Sequence, residues 1–435
     1  MPKPVIHVIG LGVSQSADLS HEALKALQSS QQVIGWERHQ AIISPLLKAD
    51  AKLFVVVQKL SQLKTEIDTF LSQLQSQAPK QAQSICILAS GDPLHYGIGR
   101  WLCKQFDRGL LHFYPAISSI QAACHKQALA LQDVCVVSLH GRPLAKIRTQ
   151  LKRNRTLVIL SDANSQPQAL AQECLKAGFE LSQITVHENL GYEQERSRTF
   201  KASALSQYQE NFEPLHVSII EVGGEGGILP EFPGIPDHHY ITGEVPGKGM
   251  ISKREVRLTI LSYLQAAKDD VIWDIGAGCG GVAVELSHWN EHCEVYAIEH
   301  HPQRLKYLTQ NRDKFGVVQN LHIIAGTAPQ ALSDLPRPNK IFIGGSDGEL
   351  ASLLKLSWEA LPLGGLLVAS AVMASTQTQL HEFALQLEAA QVESIELSVK
   401  RGELHEKQWR YVPKLPVHVF KFVKLVNFVN GGANS

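Results

Sequence analysis

The sequence has no excess of charge of either sign, since 41 lysine and arginine residues balance 41 aspartate and glutamate residues. A neutral chain lacks the positive field that gathers nucleic acid, so we expect no nucleic-acid partner. No apolar run approaches the roughly 18 residues that a membrane-spanning helix needs, so we expect no membrane partner. Residues 1–12 lack the separate charged, apolar and cleavage regions of a signal peptide, and we expect a first β-strand there.

Cysteine is scarce as well, with seven residues scattered and no C-x-x-C pair among them. In apolar strand or helix contexts a free thiol behaves as a small hydrophobe, so the pattern favours a reducing cytoplasm. The adjacent pairs His238–His239 and His300–His301 direct their side chains apart, and we expect them on the surface or in packing. We therefore expect no metal site.

Glycine and proline concentrate in one place. Residues 223–234 contain five glycines and two prolines directly after an apolar run, a composition that sustains neither helix nor strand. We therefore predict a domain at 1–222, a linker at 223–236, a second domain at 237–424 and a tail at 425–435.

Both predicted domains alternate short apolar strands with helical stretches, which is typical of the α/β class. The downstream alternation predicts a doubly wound, mostly parallel sheet of about seven strands. A helix is predicted at 253–266, where Val256, Ile260 and Leu264 share one face. The predicted strands are 5–9, 85–88, 134–137, 157–160, 184–187 and 217–222 upstream, and 271–275, 294–298, 321–325, 341–343, 366–370, 392–399 and 417–423 downstream.

The most specific motif is WDIGAGCGGV at residues 273–282, between a predicted strand and a helix. Gly276, Gly278 and Gly280 let the backbone turn tightly and approach a ligand without a Cβ in the way. Because the motif also fits the dinucleotide fingerprint G-x-G-x-x-G, the glycines alone leave NAD and S-adenosylmethionine both open.

Two acidic residues beside this loop favour S-adenosylmethionine. Asp274 offers a carboxylate to a positively charged amino group, at a position where NAD sites usually carry an apolar residue. Glu299 ends the next strand, where a carboxylate can accept hydrogen bonds from ribose hydroxyls. This pattern resembles the nucleoside-binding site of class I methyltransferases, which have a Rossmann-like fold.

Further segments narrow the resemblance. Three segments are similar to the C15-methylating, decarboxylating methyltransferases of cobalamin biosynthesis: GTAP at 326–329, FIGG at 342–345 and the stretch before the helix at 253–266. Ser252 is expected either to cap that helix, with Glu255 completing a capping box, or to contact the cofactor's carboxylate. The loop at 247–252 is longer than in that family. The resemblance implies cofactor contacts at Ser252, Gly276, Ala277, Gly278, Cys279, Gly280, Glu299 and Ala328.

The N-terminal domain carries weaker motifs that gain meaning from their order: VIGLGV at 8–13, ASGDPLHYGIG at 89–99 and YPAISSIQAA at 114–123. Ser118 and Ser119 are expected to begin a helix, and either to cap it or to bind a carboxylate. Together the motifs resemble the tetrapyrrole methylase family (class III methyltransferases). This implies a two-lobed fold that holds S-adenosylmethionine between its lobes. The implied contacts are Gly91, Asp92, Ser118, Ser119 and the loop at 161–163.

The combination of halves resembles the two-domain precorrin C5,15-methyltransferases (decarboxylating). It implies one S-adenosylmethionine per domain and a small-molecule tetrapyrrole substrate, precorrin-6B or its cobalt form. The first domain would methylate carbon 5, and the second would methylate carbon 15 and decarboxylate the ring C acetate. Homo-oligomers are expected from the resemblance. Substrate carboxylates are expected to meet Arg142 and Arg401, and the sequence assigns no catalytic base, although Asp347 and His140 are candidates.

Three other functions stay open at this point. Relatives of the N-terminal fold modify ribosomal RNA, although the neutral charge argues against an RNA methyltransferase. The first loop reads GLGVS at 10–14, without the usual proline and glycine, and this leaves open that one half is a non-catalytic binding module and only the other domain is active. An NAD-dependent oxidoreductase is disfavoured by Asp274.

Overall fold

The computed structural model describes residues 4–47, 53–77, 83–227, 229–387 and 390–425. The chain divides into two compact units. The first comprises Met1–Gly141, Asn154–Leu175 and Glu180–Gly224, and the second comprises Arg142–Arg153, Lys176–Phe179 and Glu225–Ser435. Of the predicted tail, residues 426–435 lie outside the described part of the chain.

The first unit contains a parallel five-stranded sheet. Its strands are β1 (Val5–Gly10), β2 (Gln32–Gly35), β3 (Leu53–Val56), β4 (Ser84–Ala89) and β5 (Leu111–Tyr114). They lie in the order β3-β2-β4-β1-β5, and each neighbouring pair is parallel. The accompanying helices are α1 (His21–Ser29), α2 (Glu37–Ile43), α3 (Leu60–Gln77), α4 (Gly99–Gln105) and α5 (Ser119–Lys126).

This parallel sheet is covered on both faces, which explains its continuous apolar strands. On β4, Ile85 and Ile87 belong to one core cluster, whereas Cys86 and Leu88 belong to another. At the carboxyl ends of β1 and β4 the chain turns into loops that bridge each other, since the Gly91 N–H donates to the Gly12 carbonyl at 2.9 Å.

The first unit also contains a second sheet of five strands. These are β6 (Val134–Ser138), β7 (Thr156–Leu160), β8 (Gln183–Glu188), β9 (Arg196–Lys201) and β10 (His216–Glu221), with helices α6 (Pro167–Lys176) and α7 (Ala202–Leu205). The order is β6-β7-β10-β8-β9, in which β6 and β7 are parallel and the other neighbours are antiparallel. All six strands predicted upstream of the linker are confirmed, whereas β2, β3, β5 and β9 were not predicted.

The second unit is built on a seven-stranded sheet. Its strands are β11 (Val271–Ile275), β12 (Glu294–Glu299), β13 (Leu321–Ala325), β14 (Lys340–Ile343), β15 (Leu366–Ala371), β16 (Ala390–Leu397) and β19 (Val417–Lys424). Two further strands, β17 (Lys400–His405) and β18 (Gln408–Pro413), form a separate antiparallel hairpin. The helices are α8 (Arg254–Leu264), α9 (Gly281–Trp289), α10 (Pro302–Phe315), α11 (Leu350–Ala360) and α12 (Ala374–Gln386).

The number of strands is confirmed, but the prediction of a mostly parallel sheet is wrong, because this sheet is mixed. Its order is β13-β12-β11-β14-β15-β19-β16, and β19 runs antiparallel to both of its neighbours. A parallel return needs a crossover of a dozen or more residues, usually helical, whereas an antiparallel return does not. Only the β17–β18 hairpin separates β16 from β19, so β19 returns antiparallel.

The predicted helix at 253–266 is confirmed as α8, and its apolar face packs in the core. Val256, Ile260 and Leu264 are buried there, as their four-residue spacing predicts. Among the described residues, every helix is too short or too polar to cross a membrane.

Candidate active sites

A cavity of about 390 Å³ lies in the second unit, at the carboxyl ends of β11, β12 and β14 and the start of α9. Most of the cofactor contacts predicted for this domain line it: Ser252, Asp274, Gly276, Ala277, Gly278, Glu299 and Ala328. Cys279 and Gly280 belong to the same loop but not to the cavity lining. Cys279 is buried, and a Cβ at Gly280 would overlap the Leu308 side chain.

The glycine loop turns as predicted, but its glycines are required by close contacts with other segments of the protein. Gly276, Gly278 and Gly280 have φ of +73°, +59° and +88°, a region that favours glycine. A Cβ at Gly276 would lie 2.6 Å from the Gly345 nitrogen, and one at Gly278 would lie 2.6 Å from the Met250 carbonyl oxygen. The glycines therefore let neighbouring backbone segments close around the cavity.

Glu299 lies at the end of β12, buried at the cavity floor. Its Oε2 accepts the Gly278 N–H at 2.9 Å, and its Oε1 accepts the N–H groups of His300 and His301 at 2.9 and 2.8 Å. A carboxylate has about four acceptor positions, so these three bonds leave room for about one more. Glu299 thus holds the glycine loop directly, and its geometry suits one ribose hydroxyl better than two.

Asp274 is the opposite case. It is buried, and neither carboxylate oxygen has a hydrogen-bond partner among the described residues. The pKa of Asp274 is raised to about 7, mainly by burial and to a smaller extent by the charge of Glu299, while the nearby backbone N–H of Ala283 lowers it in part. An unpaired buried carboxylate is costly, so this geometry fits a ligand that brings a positive charge, such as the ammonium group of S-adenosylmethionine.

Ser252 is not the helix cap that the capping-box pattern predicts. The N-cap of α8 is Lys253, without a side-chain capping bond. Glu255 is drawn away by Arg401, whose Nη2 lies 2.7 Å from Glu255 Oε2. The Ser252 carbonyl instead accepts a hydrogen bond from Arg257 Nη1, so the Ser252 side chain is left at the cavity without a capping role.

Arg257 anchors this segment through a buried ion-pair cluster. Its Nε lies 2.9 Å from Glu285 Oε1, and its Nη1 lies 2.7 Å from Asp237 Oδ1. The Lys253 Nζ donates to the Gly247 carbonyl, and the Cys279 N–H donates to the Met250 carbonyl at 3.0 Å. The loop at 247–252 is therefore fixed at its two ends by Lys253 and Arg257, and its Met250 contacts the glycine loop.

His300 lines this cavity but was not predicted from the sequence. Its Nδ1 lies 3.3 Å from Asp347 Oδ2, and both residues line the cavity. Asp347 was named as a candidate base. His300 follows the end of β12 and Asp347 follows the end of β14, and these strand-end positions were the available signal.

The two predicted substrate arginines do not line either cavity. Arg401, on β17, pairs with Asp237 Oδ2 at 3.0 Å and with Glu255 Oε2 at 2.7 Å, so its charge is already engaged. Arg142 lies in the segment that groups with the second unit, and its charge contributes to the lowered pKa of Lys146, which burial lowers first. Their role toward substrate stays a prediction.

A second cavity, of about 760 Å³, lies within the first unit. The four residues predicted as cofactor contacts in this domain all line it: Gly91, Asp92, Ser118 and Ser119. The candidate base His140 and the loop at 161–163 line it as well. Asp92 is occupied, since its Oδ1 accepts the N–H groups of Leu94 and His95 at 2.8 Å each and its Oδ2 accepts that of Ala116 at 3.2 Å. Asp92 therefore fixes the loop.

Ser118 is the N-cap of α5, one of the two roles foreseen for it. Its Oγ accepts the Gln121 N–H at 3.3 Å, and Gln121 Oε1 accepts the Ser118 N–H at 2.9 Å, which completes a capping box. His95 Nδ1 lies 2.9 Å from the same hydroxyl. Three further cavity residues, Arg38, His39 and Ser90, were not predicted.

Within the described ranges, no three histidine, cysteine, aspartate or glutamate side chains are arranged to hold a metal ion.

Comparison with known proteins identifies both halves. Residues 5–206 match the family model described as tetrapyrrole (corrin/porphyrin) methylases, and residues 246–424 match the precorrin methyltransferase domain. A precorrin-6Y C(5,15)-methyltransferase [decarboxylating] from Sinorhizobium sp is 34% identical over 371 residues, which are 85% of this chain and 85% of that protein.

Two further relatives agree with this. The protein of the same name from Mycobacterium tuberculosis is 29% identical over 378 residues, 86% of this chain and 89% of that protein. A probable cobalt-precorrin-6B C(15)-methyltransferase (decarboxylating) from Methanothermobacter thermautotrophicus is 32% identical over 184 residues, 42% of this chain and 93% of that protein.

Proposed function

The chain belongs to the precorrin-6Y C(5,15)-methyltransferase (decarboxylating) family, and from that premise we propose that its two domains divide the chemistry between them. The domain at 1–222 methylates carbon 5 of precorrin-6B or its cobalt form. The domain at 237–424 methylates carbon 15 and removes carbon dioxide from the ring C acetate. Each domain binds one S-adenosylmethionine.

The observation that carries the proposal for the second domain is the unpartnered carboxylate of Asp274. It lies in a cavity with the glycine loop and Glu299, and its buried charge calls for a cationic partner. The ammonium group of S-adenosylmethionine supplies that partner, and the remaining acceptor position of Glu299 suits a ribose hydroxyl. Ala328, 9% exposed at the cavity wall, offers an apolar surface for the adenine edge.

For the first domain, support comes from a cavity lined by turns and hydroxyls. Gly91 has φ of +61°, and Ser118, Ser119 and Ser161 line the same cavity. Backbone turns of this kind approach a ligand closely. With a volume of about 760 Å³, the cavity is larger than that of the second domain, and we assign it both cofactor and part of a macrocycle.

When bound, S-adenosylmethionine supplies a methyl group already activated on its sulfonium. The residues of this chain then have to hold the accepting ring carbon in line with that methyl and exclude water. The loop at 247–252, pinned by Arg257 and Lys253, is placed to do so in the second domain. His300 Nδ1 and Asp347 Oδ2 lie 3.3 Å apart at this cavity, and we assign to this pair the role of proton acceptor.

The test is mass spectrometry of the product after the full chain is incubated with S-adenosylmethionine and precorrin-6B. We expect a gain of two methyl groups and the loss of one carbon dioxide. A single methyl without decarboxylation would mean that the second domain is silent, and a single methyl with decarboxylation would mean that the first is. An unchanged tetrapyrrole would contradict the proposal and reopen the RNA methyltransferase hypothesis.

The remaining expectations stay predictions: a homo-oligomer, a cytoplasmic location and no nucleic-acid partner. Size-exclusion chromatography with light scattering tests the first, and a binding assay with duplex RNA at low salt tests the last.

A further inference from the structure

We propose that Arg38 and Ser90, oriented by His39, form a carboxylate-binding pair in the cavity of the first unit. The inference rests on the proposed function, because it names the group through which that cavity recognises its ligand. Arg38 and His39 lie on α2 and Ser90 follows β4, and all three line the cavity. Arg38 and Ser90 are exposed there, whereas His39 is 2% exposed.

The hydrogen-bond geometry sets the tautomer of His39. The Trp36 N–H donates to His39 Nδ1 at 3.4 Å, so Nδ1 presents its lone pair. Burial, together with the charge of Arg38, lowers the pKa of His39 to about 4, so the imidazole is neutral near pH 7. The single ring proton is therefore on Nε2, which lies 2.7 Å from Ser90 Oγ and donates to it.

The Ser90 hydroxyl oxygen accepts two hydrogen bonds. Besides His39 Nε2, the Arg38 guanidinium donates to the same Oγ. A hydroxyl has two lone pairs and one hydrogen, so both lone pairs are taken and the hydrogen is left to donate. Among the described residues, no protein acceptor takes that hydrogen. This arrangement also disfavours a serine nucleophile, because His39 Nε2 holds a proton and has no lone pair to accept one from Ser90.

Arg38 adds the charge. A guanidinium carries five N–H donors in a planar fork that matches a carboxylate, and only one of those of Arg38 donates to Ser90. A carboxylate in front of the pair would accept from the Ser90 hydroxyl and from Arg38 together, through charge-assisted bonds. His39 is a positioning residue here, since it acts on the ligand only through Ser90.

Two molecules in the proposed reaction carry carboxylates: the tetrapyrrole, through its acetate and propionate chains, and the methionine part of the cofactor. The pair recognises the same chemistry in both, and two measurements separate them. One is the KM of the carbon 5 methylation for precorrin-6B, and the other is the calorimetric Kd of the first-unit site for S-adenosylhomocysteine.

The experiment uses the full chain with Ser90→Ala, Arg38→Gln and the control Arg100→Gln. Arg100 is exposed on α4 and does not line the cavity. For Ser90→Ala we expect about a tenfold rise in one of the two constants, the loss typical of one hydrogen bond to a charged group. Arg38→Gln should raise the same constant more, by roughly 30- to 100-fold. Arg100→Gln should leave both unchanged.

A rise in KM alone identifies a substrate carboxylate, and a rise in Kd alone identifies that of the cofactor; either outcome supports the pair. Wild-type turnover with both constants unchanged in Ser90→Ala and Arg38→Gln would overturn this inference and leave the proposed function standing. A wild-type chain that methylates no tetrapyrrole would overturn the proposed function and this inference with it. Methylation and decarboxylation at carbon 15 should be normal in both variants, which shows that the second unit is folded. Whichever of the two constants keeps its wild-type value shows that the cavity of the first unit is formed.

Discussion

One acidic residue of the first cavity and one of the second lie in opposite environments. In the first unit, Asp162 accepts the N–H groups of Gly141 at 2.7 Å and Asn164 at 2.9 Å, and the bond from Gly141 is the main reason that its pKa is lowered. In the second unit, Asp274 accepts no hydrogen bond of normal geometry, and burial raises its pKa to about 7, although the backbone N–H of Ala283 lowers it in part.

This difference distinguishes an acid that holds a loop from an acid that awaits a ligand. Where backbone donors satisfy a carboxylate, as at Asp162, its charge is already compensated and the residue holds a loop. Where a buried carboxylate lacks donors, the missing charge has to come from elsewhere. The second cavity therefore presents a side-chain signature for its cofactor, whereas the first relies on turns and hydroxyls.

The largest effect we predict is the loss of one cofactor site in Glu299→Ala. The substitution leaves the N–H groups of Gly278, His300 and His301 without their acceptor. Each unsatisfied donor lowers the stability of the folded loop by about 1–3 kcal/mol. Calorimetry with S-adenosylhomocysteine should show the stoichiometry falling from two per chain to one. Glu294→Ala, at the other end of β12, is the matched control and should keep both sites. Loss of both sites in Glu299→Ala would mean that the two cavities are not independent.

A tenfold effect is expected from pH, and only in the second unit. The ammonium group binds the carboxylate form of Asp274, whose pKa of about 7 means that this form is reduced to about a tenth at pH 6. Affinity of that site should therefore rise from pH 6 to pH 8, by about tenfold. Asp162, with its lowered pKa, stays charged across this range.

Glu299→Ala, which retains only the first site, provides the comparison titration. The Kd of its remaining site should not change with pH. In Asp274→Asn, the Kd of the second-unit site should lose its pH dependence. Equal slopes at both sites would show that the contrast between the two acids does not control binding.

The smallest predicted effect separates two serines that look alike in sequence. Ser118→Ala removes a helix cap and should lower the free energy of unfolding of the first unit by about 1 kcal/mol. Ser252→Ala removes no cap and should leave stability unchanged while weakening cofactor binding by the second unit. Denaturant unfolding followed by circular dichroism measures the first change. A larger loss of stability in Ser252→Ala than in Ser118→Ala would reverse the assignment.

Much of the second site was predictable because its signals are local. The glycines at 276, 278 and 280 and the acids Asp274 and Glu299 lie at ends of strands that apolar runs already mark. Local order also predicted the seven strands and α8 to within a few residues, and both family resemblances were confirmed by the comparisons. The Ser252 cap failed because Arg401, 146 residues further along the chain than Glu255, takes the side chain that the capping box needs.

Sequence by itself thus determined which backbone turns form and which side chains stand at their tips, since these depend on neighbours within a few residues. Tertiary structure alone decided the antiparallel entry of β19, the three donors that occupy Glu299 and the isolation of Asp274. It also brought Arg38 to Ser90, 52 residues away. The physical reason is that a polar group's role depends on its hydrogen-bond partners, and those partners come from segments that only packing brings together.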